Sequence, residues 1–594
     1  MVKSTIPANF LAVCERFASQ PDKICYGRKS QGTWHTITHA SLRADVECFA
    51  MGMTLLGFSV GERVGIVSEN RVEWPIADFA LSALGVIDVP IFPTLTGPQE
   101  AYIFHNCEAA GVIVSNQFQL NKLLTVRPEI PSLRMIIVMN DDVVLQDGVV
   151  RFTDVMQRGR SAFDAATRQQ KFIDLASHVK EDDVLTLVYT SGTTGNPKGV
   201  MLTHRNITSN VSGALASFDL HEHDTLLSFL PLCHSYERMA GYYCAFIAGS
   251  TTYFAESIES VSENLREVRP TVMTSVPRLF ERIKTRVISN VEKQGALKQK
   301  VFAWALGVGT RWFRGDRSAW LRIQHALADK LVFSKVRERT GGRIRFFVSG
   351  GAALSVDVGT FFMTMGLEII EGYGLTESSP VLCVNRLGAQ ELGTVGTPLP
   401  NVEIVIASDG EILARGPSIM KGYWKNDEAT REAIDAEGYL HTGDIGSFNE
   451  LGHLRITDRK KHILVSSGGK NIAPQHVEAL IAESPFVDQV ILIGDAREYC
   501  TALIVPDAEY IGANNISPEQ LHSVIQRDID ERQRALSKYE RIRRFTILHT
   551  PFTVDNGMMT PTLKIKRKTV EHEYKGVIDA MYAGADHEGH HGTH

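Results

Sequence analysis

The strongest constraint on how this chain can fold is a rhythm. Between about residues 60 and 380, short apolar runs rich in branched and aromatic side chains alternate with amphipathic segments. The runs at 63–67, 111–114, 135–138, 271–274 and 344–348 are of this kind, each bounded by turn signals. Strands that alternate with helices dictate α/β layers. With 594 residues, 44% of them hydrophobic, the chain is globular and too long for one core, so two or more domains are expected. The longest uncharged stretch, 239–255, is broken by Gly, Ser and Thr; it reads as a buried helix followed by a strand rather than a bilayer span.

The rhythm changes after residue 400. Strand-like runs at 402–406, 410–413 and 453–457 are joined by tight turns, which predicts a β-rich subdomain over about 400–457. The fold class expected is therefore α/β: a large N-terminal domain, 1–457, of layered α/β sheets plus this β-rich part, then a boundary at 458–461 and a small α+β C-terminal domain, 462–583. In the small domain Pro474 stands where a helix can start, with Val477, Leu480 and Ile481 at helical spacing behind it. The polar tail 584–594 carries His587, His590, His591 and His594, which suit either metal ligation or a frayed terminus.

A second departure is the segment 279–339, helical in pattern, basic, and marked by Trp304, Trp312, Phe313 and Trp320. Two readings stand side by side. The aromatics pack inward in a helical insertion, or they form a surface that touches lipid headgroups. Elsewhere the two signs of charge are mixed and sum to −6, which gives no reason to expect a nucleic-acid partner. The eight cysteines are scattered with no CxxC among them, so neither a disulfide framework nor a zinc site is indicated. With no apolar signal core at the N-terminus either, reduced thiols in a cytoplasmic protein are expected.

The densest chemistry lies at 189–199, where three glycines, five hydroxyl side chains and one lysine share eleven residues. Its core is Thr190, Ser191, Gly192, Thr193, Thr194, Gly195 and Lys198, directly after a β-prone stretch at 184–188. Glycines let backbone amides converge on an anion, hydroxyls add donors, and the lysine adds a mobile cation. A polyphosphate is the natural ligand. The spacing is not that of a Walker loop, because Gly192 and Gly195 are only three apart and Gly199 follows Lys198.

This loop resembles the signature of the adenylate-forming superfamily, which includes acyl-CoA synthetases. Further motifs follow in the family's order: 230–234 ending in His234, Gly350-Gly351-Ala352, 372–377 with Tyr373, Gly374, Thr376 and Glu377, 441–444 ending in Asp444, 458–461 with Arg459 and Lys461, and 560–564 ending in Lys564. The resemblance covers nearly the whole chain and is nearest to long-chain fatty acid–CoA ligases. It implies ATP, Mg²⁺ and CoA as cofactors and co-substrates and a fatty acid as the acyl donor. Activation makes an acyl-AMP, with AMP as a good leaving group, and a thiol then attacks.

The resemblance also implies roles. Glu377 is the Mg²⁺ ligand, since one carboxylate beside phosphate oxygens satisfies that ion. Thr376 reaches phosphate, Tyr373 and the small residues Gly350, Gly351 and Ala352 flank adenine, and Asp444 with Arg459 holds the ribose hydroxyls. Lys564, favoured over Lys566, bridges carboxylate and α-phosphate as charge builds. Lys461 is the hinge about which the small domain rotates, bringing Gly468 and Gly469 to the pantetheine arm. His234 gates the acyl or thiol entrance. Two other functions compete: a fatty acyl-AMP ligase that omits CoA transfer, which resembles Ala rather than Thr at position 376, and a membrane-surface fatty-acid binding protein with lapsed catalysis.

Overall fold

Two large sheets with parallel centres carry the rhythm of the first 400 residues. The computed structural model describes residues 2–190, 196–460, 464–467, 470–553, 556–559 and 565–583. In one sheet Val184–Thr190, Ile87–Ile91, Arg63–Val67, Ala109–Val114, Met135–Val138 and Val149–Arg151 run parallel. An antiparallel margin made of Lys198–Thr203 and Gly422–Tyr423 closes that sheet beside Val184–Thr190. In the other, Ile24–Ser30, Thr251–Phe254, Thr225–Ser228, Val272–Ser275, Phe346–Ser349 and Ile369–Gly374 are parallel, with antiparallel strands at both edges. Ile87–Ile91 and Ala109–Val114 are buried along their whole length, as strands covered by helices on both faces must be.

The expected strands form within one or two residues of their predicted places. The 239–255 stretch is indeed a buried helix and a strand. Arg238–Cys244 is a buried π-helical turn, Ala245–Ala248 continues it, and Gly249 at φ 87° releases the chain into Thr251–Phe254.

The insertion is a stack of helices, Pro277–Glu292, Ala296–Phe313 and Ala319–Ala328, the last continuing through Asp329–Phe333 and Ser334–Arg339. It answers the two readings of its aromatics residue by residue. Trp304 and Trp312 pack on the core built from Phe280, Leu321, Phe333 and Phe347, and the Trp312 ring stacks on His325 with centroids 4.4 Å apart. Trp320 points away from that core and is 66% exposed.

Beyond residue 400 four antiparallel strands, Glu403–Ile406, Glu411–Arg415, Leu440–Phe448 and Leu454–Arg459, form the β-rich part. The small domain has its own core over a sheet of Val487–Ile493, Cys500–Pro506 and Ile542–Ile547. There Pro474 opens the helix Pro474–Ala482, which buries Val477 and Ile481. All eight cysteines are free and buried.

Candidate active site

Val184–Thr190 leads into the Gly/Ser/Thr loop, and Lys198–Thr203 returns from it antiparallel, with Thr190 opposite Lys198. The two strands that flank the loop in sequence thus pair at the sheet margin. Ser191, Gly192, Thr193, Thr194 and Gly195 lie outside the described residues.

A buried polar cluster anchors the hairpin from below. Arg238 pairs with Asp78 and reaches Asp88 Oδ2 at 2.6 Å, and Thr186 of the loop-bearing strand donates to Asp88 Oδ1 at 2.6 Å. Tyr242 and Tyr243 hydroxyls donate to Asp78 at 2.8 and 2.9 Å. Burial pushes Asp78 upward to about 7 against the opposing pull of Arg238. Charges this deep persist only when their lone pairs and protons are met, and here most are.

The helix His204–Leu215, which follows the hairpin, positions two further segments. Asn206 and Asn210 are four apart and share a face. Asn206 Nδ2 donates to the carbonyls of Pro417 and Ile419 at 2.9 and 2.8 Å. Asn210 Nδ2 donates to Val381 O at 2.7 Å, and its Oδ1 accepts from Val381 N at 3.1 Å, next to the turn Thr376–Ser378. That turn follows Gly374, where a Cβ would lie 1.7 Å from Pro380 O, so only glycine fits.

Between these segments stands a residue that the sequence reading did not single out. Tyr423 Oη donates to Glu377 Oε1 at 2.9 Å, while Lys198 Nζ lies 5.0 Å from the centre of the Tyr423 ring. Burial, and then the Glu377 charge, raises the Tyr423 phenol, so it remains a donor. One side chain therefore holds the expected metal ligand and the loop lysine together. The only trace in the sequence is the run 422–424, a glycine followed by two aromatics, and nothing in it indicates partners at 198 and 377.

On the other side of the turn, Tyr373 Oη donates to Asp444 Oδ2 at 2.7 Å, and Arg459 Nε lies 2.9 Å from Asp444 Oδ1. Asp444 and Arg459 face each other in register across Leu440–Phe448 and Leu454–Arg459. A carboxylate offers about four acceptor positions, so Asp444 keeps capacity for more donors. Burial, then the neighbouring Asp444, raises the Tyr373 phenol.

The His234 turn closes the third side. His234 Nδ1 accepts from Tyr236 N at 3.2 Å, and Ser235 Oγ shares a 3.1 Å hydrogen bond with Thr376 Oγ1. Tyr236 Oη donates to Val348 O at 2.8 Å, and a Cβ on Gly350 would come within 3.0 Å of its ring. Gly350, Gly351 and Ala352 follow the strand Phe346–Ser349, with Gly351 at φ 81°. Next to the turn, Glu237 is fully buried and accepts from Ser228 Oγ and Thr274 Oγ1, both at 2.6 Å. Lacking a cation, it is pushed by burial up to about 7.

Thus Lys198, Tyr423 and Glu377, then Thr376, Ser235, His234, Tyr236 and Gly350, and then Tyr373, Asp444 and Arg459 form three sets of contacts that the short segment 373–377 brings together. Lys461, Lys564, Gly468 and Gly469 lie outside the described residues. In sequence the last two fall between the paired strands Leu464–Val465 and Asn471–Ile472. Among the described residues no group of three or more His, Cys, Asp or Glu side chains could hold a metal. A single carboxylate such as Glu377, whose Oε1 accepts from Tyr423, suits Mg²⁺, which takes few protein ligands.

This is the architecture of a two-domain nucleotide-binding enzyme, with a large α/β domain and a small α+β domain. The chain belongs to the AMP-binding enzyme family: residues 14–424 match the family itself, and residues 461–586 match the AMP-binding enzyme C-terminal domain. It is 35% identical to the long-chain-fatty-acid–CoA ligase FadD15 of Mycobacterium bovis, with 96% of both chains covered. It is 30% identical to long-chain-fatty-acid–CoA ligase 1 of Homo sapiens, covering 94% of this chain and 84% of that one. Its fold matches the anthranilate CoA ligase AuaEII in complex with anthranoyl-AMP at a TM-score of 0.74 and 21% identity, with 96% of this chain and 98% of that chain covered. It also matches the A domain of carboxylic acid reductase from Segniliparus rugosus in complex with AMP, at 0.77 and 23% identity, covering 98% and 96%.

Proposed function

We propose that this protein is an AMP-forming long-chain fatty acid–CoA ligase. The observation that carries the reading is that two contact sets, Lys198–Tyr423–Glu377 and Tyr373–Asp444–Arg459, meet on the one short segment 373–377, which suits a ligand with phosphates at one end and a ribose at the other. In the first half-reaction a carboxylate oxygen attacks the α-phosphorus of ATP, the bond to the β-phosphate oxygen breaks, and pyrophosphate leaves. In the second, the CoA sulfur attacks the acyl carbonyl, its proton is lost, and the acyl–oxygen bond breaks to release AMP. The long-chain acid follows from the named relatives, which share up to 35% identity with this chain over almost its full length.

Asp444 and Arg459 would hold the ribose, Gly350 to Ala352 and Tyr373 the adenine, and Thr376, Lys198 and residues 190–195 the phosphates. Mg²⁺, when bound, supplies charge neutralisation on the phosphates; Glu377 would hold it. Lys564 would steady the charge that develops at the α-phosphate. Residues 458–461 would be the hinge of the small domain, with Lys461 its pivot. The contacts between the large domain and the small one include two polar pairs, Arg278 with Asp488 and Ser355 with Glu483, which can break without exposing a core. No helix among the described residues is long and apolar enough to cross a membrane. A cytoplasmic place with peripheral membrane contact is the reading we favour.

The test is thioester and AMP formation from ATP, CoA and acids ranging from acetate to stearate. Oleoyl-CoA and AMP in equal amounts are expected. Acyl-AMP without thioester would make the protein an acyl-AMP ligase. Acid binding without AMP would make it a binding protein.

A further inference from the structure

The helix that begins at Ala319 is apolar on both sides. Its inner face is committed, because Leu321, Ala328 and Phe333 are fully buried and His325 stacks on Trp312. Its outer face carries Trp320, Ile323, Leu327 and Leu331, at 66%, 62%, 49% and 41% exposure. Steps of three, four and four residues keep these side chains on one stripe. A surface helix normally turns a polar face to water, so a second apolar stripe needs something to cover it.

The surroundings say what that is. Residues 293–335 hold nine lysines and arginines against two aspartates, in a chain whose overall charge is −6. Both aspartates are already paired, Asp316 with Arg311 at 2.7 Å and Asp329 with Arg337 at 2.7 Å. Lys330 borders the stripe, and Arg314 and Arg322 are exposed elsewhere on the same insertion; among the described residues none of the three has an acidic partner within ion-pair distance. A tryptophan and three branched aliphatics on a basic insertion match the boundary of an anionic bilayer, where rings and aliphatic chains enter the headgroup layer and long basic side chains reach phosphates.

We propose that the stripe Trp320, Ile323, Leu327 and Leu331, on an insertion that also exposes Arg314, Arg322 and Lys330, is a docking face for an anionic lipid surface. The helix lies along the membrane plane with its inner face still on the protein core. The contact stands on this surface alone; its use, to collect a long-chain acid dissolved in lipid, rests on the ligase reading above.

The experiment is co-sedimentation of the full chain with phosphatidylcholine vesicles, pure or with about one third phosphatidylglycerol, at low and high salt. Wild type should bind the anionic vesicles at low salt, release at high salt, and bind pure phosphatidylcholine far less. Ile323→Glu with Leu327→Glu should abolish binding. Arg314→Glu, Arg322→Glu and Lys330→Glu together should weaken it by on the order of a hundred-fold, since each cation near an anionic surface is worth about five-fold. All five positions are solvent-facing, so the fold should persist. Absence of wild-type binding at low salt, or binding untouched by both variants, would overturn the proposal. So would self-association without lipid that the apolar variant abolishes, or equal capture by polyglutamate, which would make the face a protein interface. Vesicle binding by a chain that forms no acyl-CoA would leave the docking face standing and refute the ligase reading instead. With an intact ligase, the variants should lose activity on vesicle-dissolved oleate and keep it on octanoate in solution.

Discussion

Replacing Tyr423 with Phe isolates one hydrogen bond in the site. The ring stays, so its contact with Lys198, 5.0 Å from the ring centre, is kept, while the 2.9 Å donation to Glu377 Oε1 is lost. A hydrogen bond to a charged group contributes about 1.5–3 kcal/mol. Glu377 is only half-buried, so water can replace the hydroxyl in part, and the lower end applies. A loss of about 1.5 kcal/mol is a roughly ten-fold fall in adenylation. If Tyr423 acts by aiming Glu377, the fall should concentrate where Mg²⁺ is limiting. Pyrophosphate release measured across a Mg²⁺ titration should show a higher half-saturation and a smaller change at saturating metal. Tyr423→Leu should lose about 0.5–1 kcal/mol more, through the missing ring beneath Lys198. Wild-type adenylation and Mg²⁺ dependence in Tyr423→Phe would refute the reasoning. So would a loss that tracks a lowered melting temperature.

Other expectations test the rest of the site. Lys564→Ala should slow adenylation on the order of 10²–10³-fold while sparing thioester formation from supplied acyl-adenylate; a normal rate of oleoyl-adenylate synthesis would move the role to Lys566. Lys461→Pro should leave adenylation intact and block CoA transfer, because a hinge must change backbone angles that proline locks; equal loss of both steps with an unchanged circular dichroism spectrum would count against a hinge. Glu237 is raised from 4.5 to about 7 in the folded chain, so it stays neutral there while the unfolded chain ionises. Its contribution is then full below pH 4.5 and is lost as pH rises toward 7, about 3 kcal/mol in all. Glu237→Gln removes that loss, so its melting temperature should gain on wild type between about pH 5 and about pH 8; a constant difference would show that Glu237 does not titrate in this window.

The layers and most of the strands could be read directly from local pattern. Runs such as 63–67 and 135–138 became strands with the same bounds, because a short branched run has few other ways to bury itself. The Pro474 helix start was legible for the same local reason. The order of the motifs, and with it the family, also belongs to the sequence, since each motif is a compact piece of backbone chemistry.

Only the tertiary structure decided which pieces meet. Tyr423 is 46 residues from Glu377 and 225 from Lys198, yet it touches both, because Gly422–Tyr423 pairs with Lys198–Thr203 at the margin of the first sheet. Asn206 and Asn210 read as ordinary helix residues until the segments near 418 and 380 pack against that helix face. Arg238, Asp78 and Asp88 look like scattered surface charges in sequence but form one buried cluster. The 279–339 segment shows the same limit: periodicity marked Trp304, Trp312 and Trp320 alike, and the packing of neighbouring helices turned two inward and left one in water. Local pattern records what a residue prefers, whereas its partners are set by chain crossings hundreds of residues long, and those exist only once the sheets have closed.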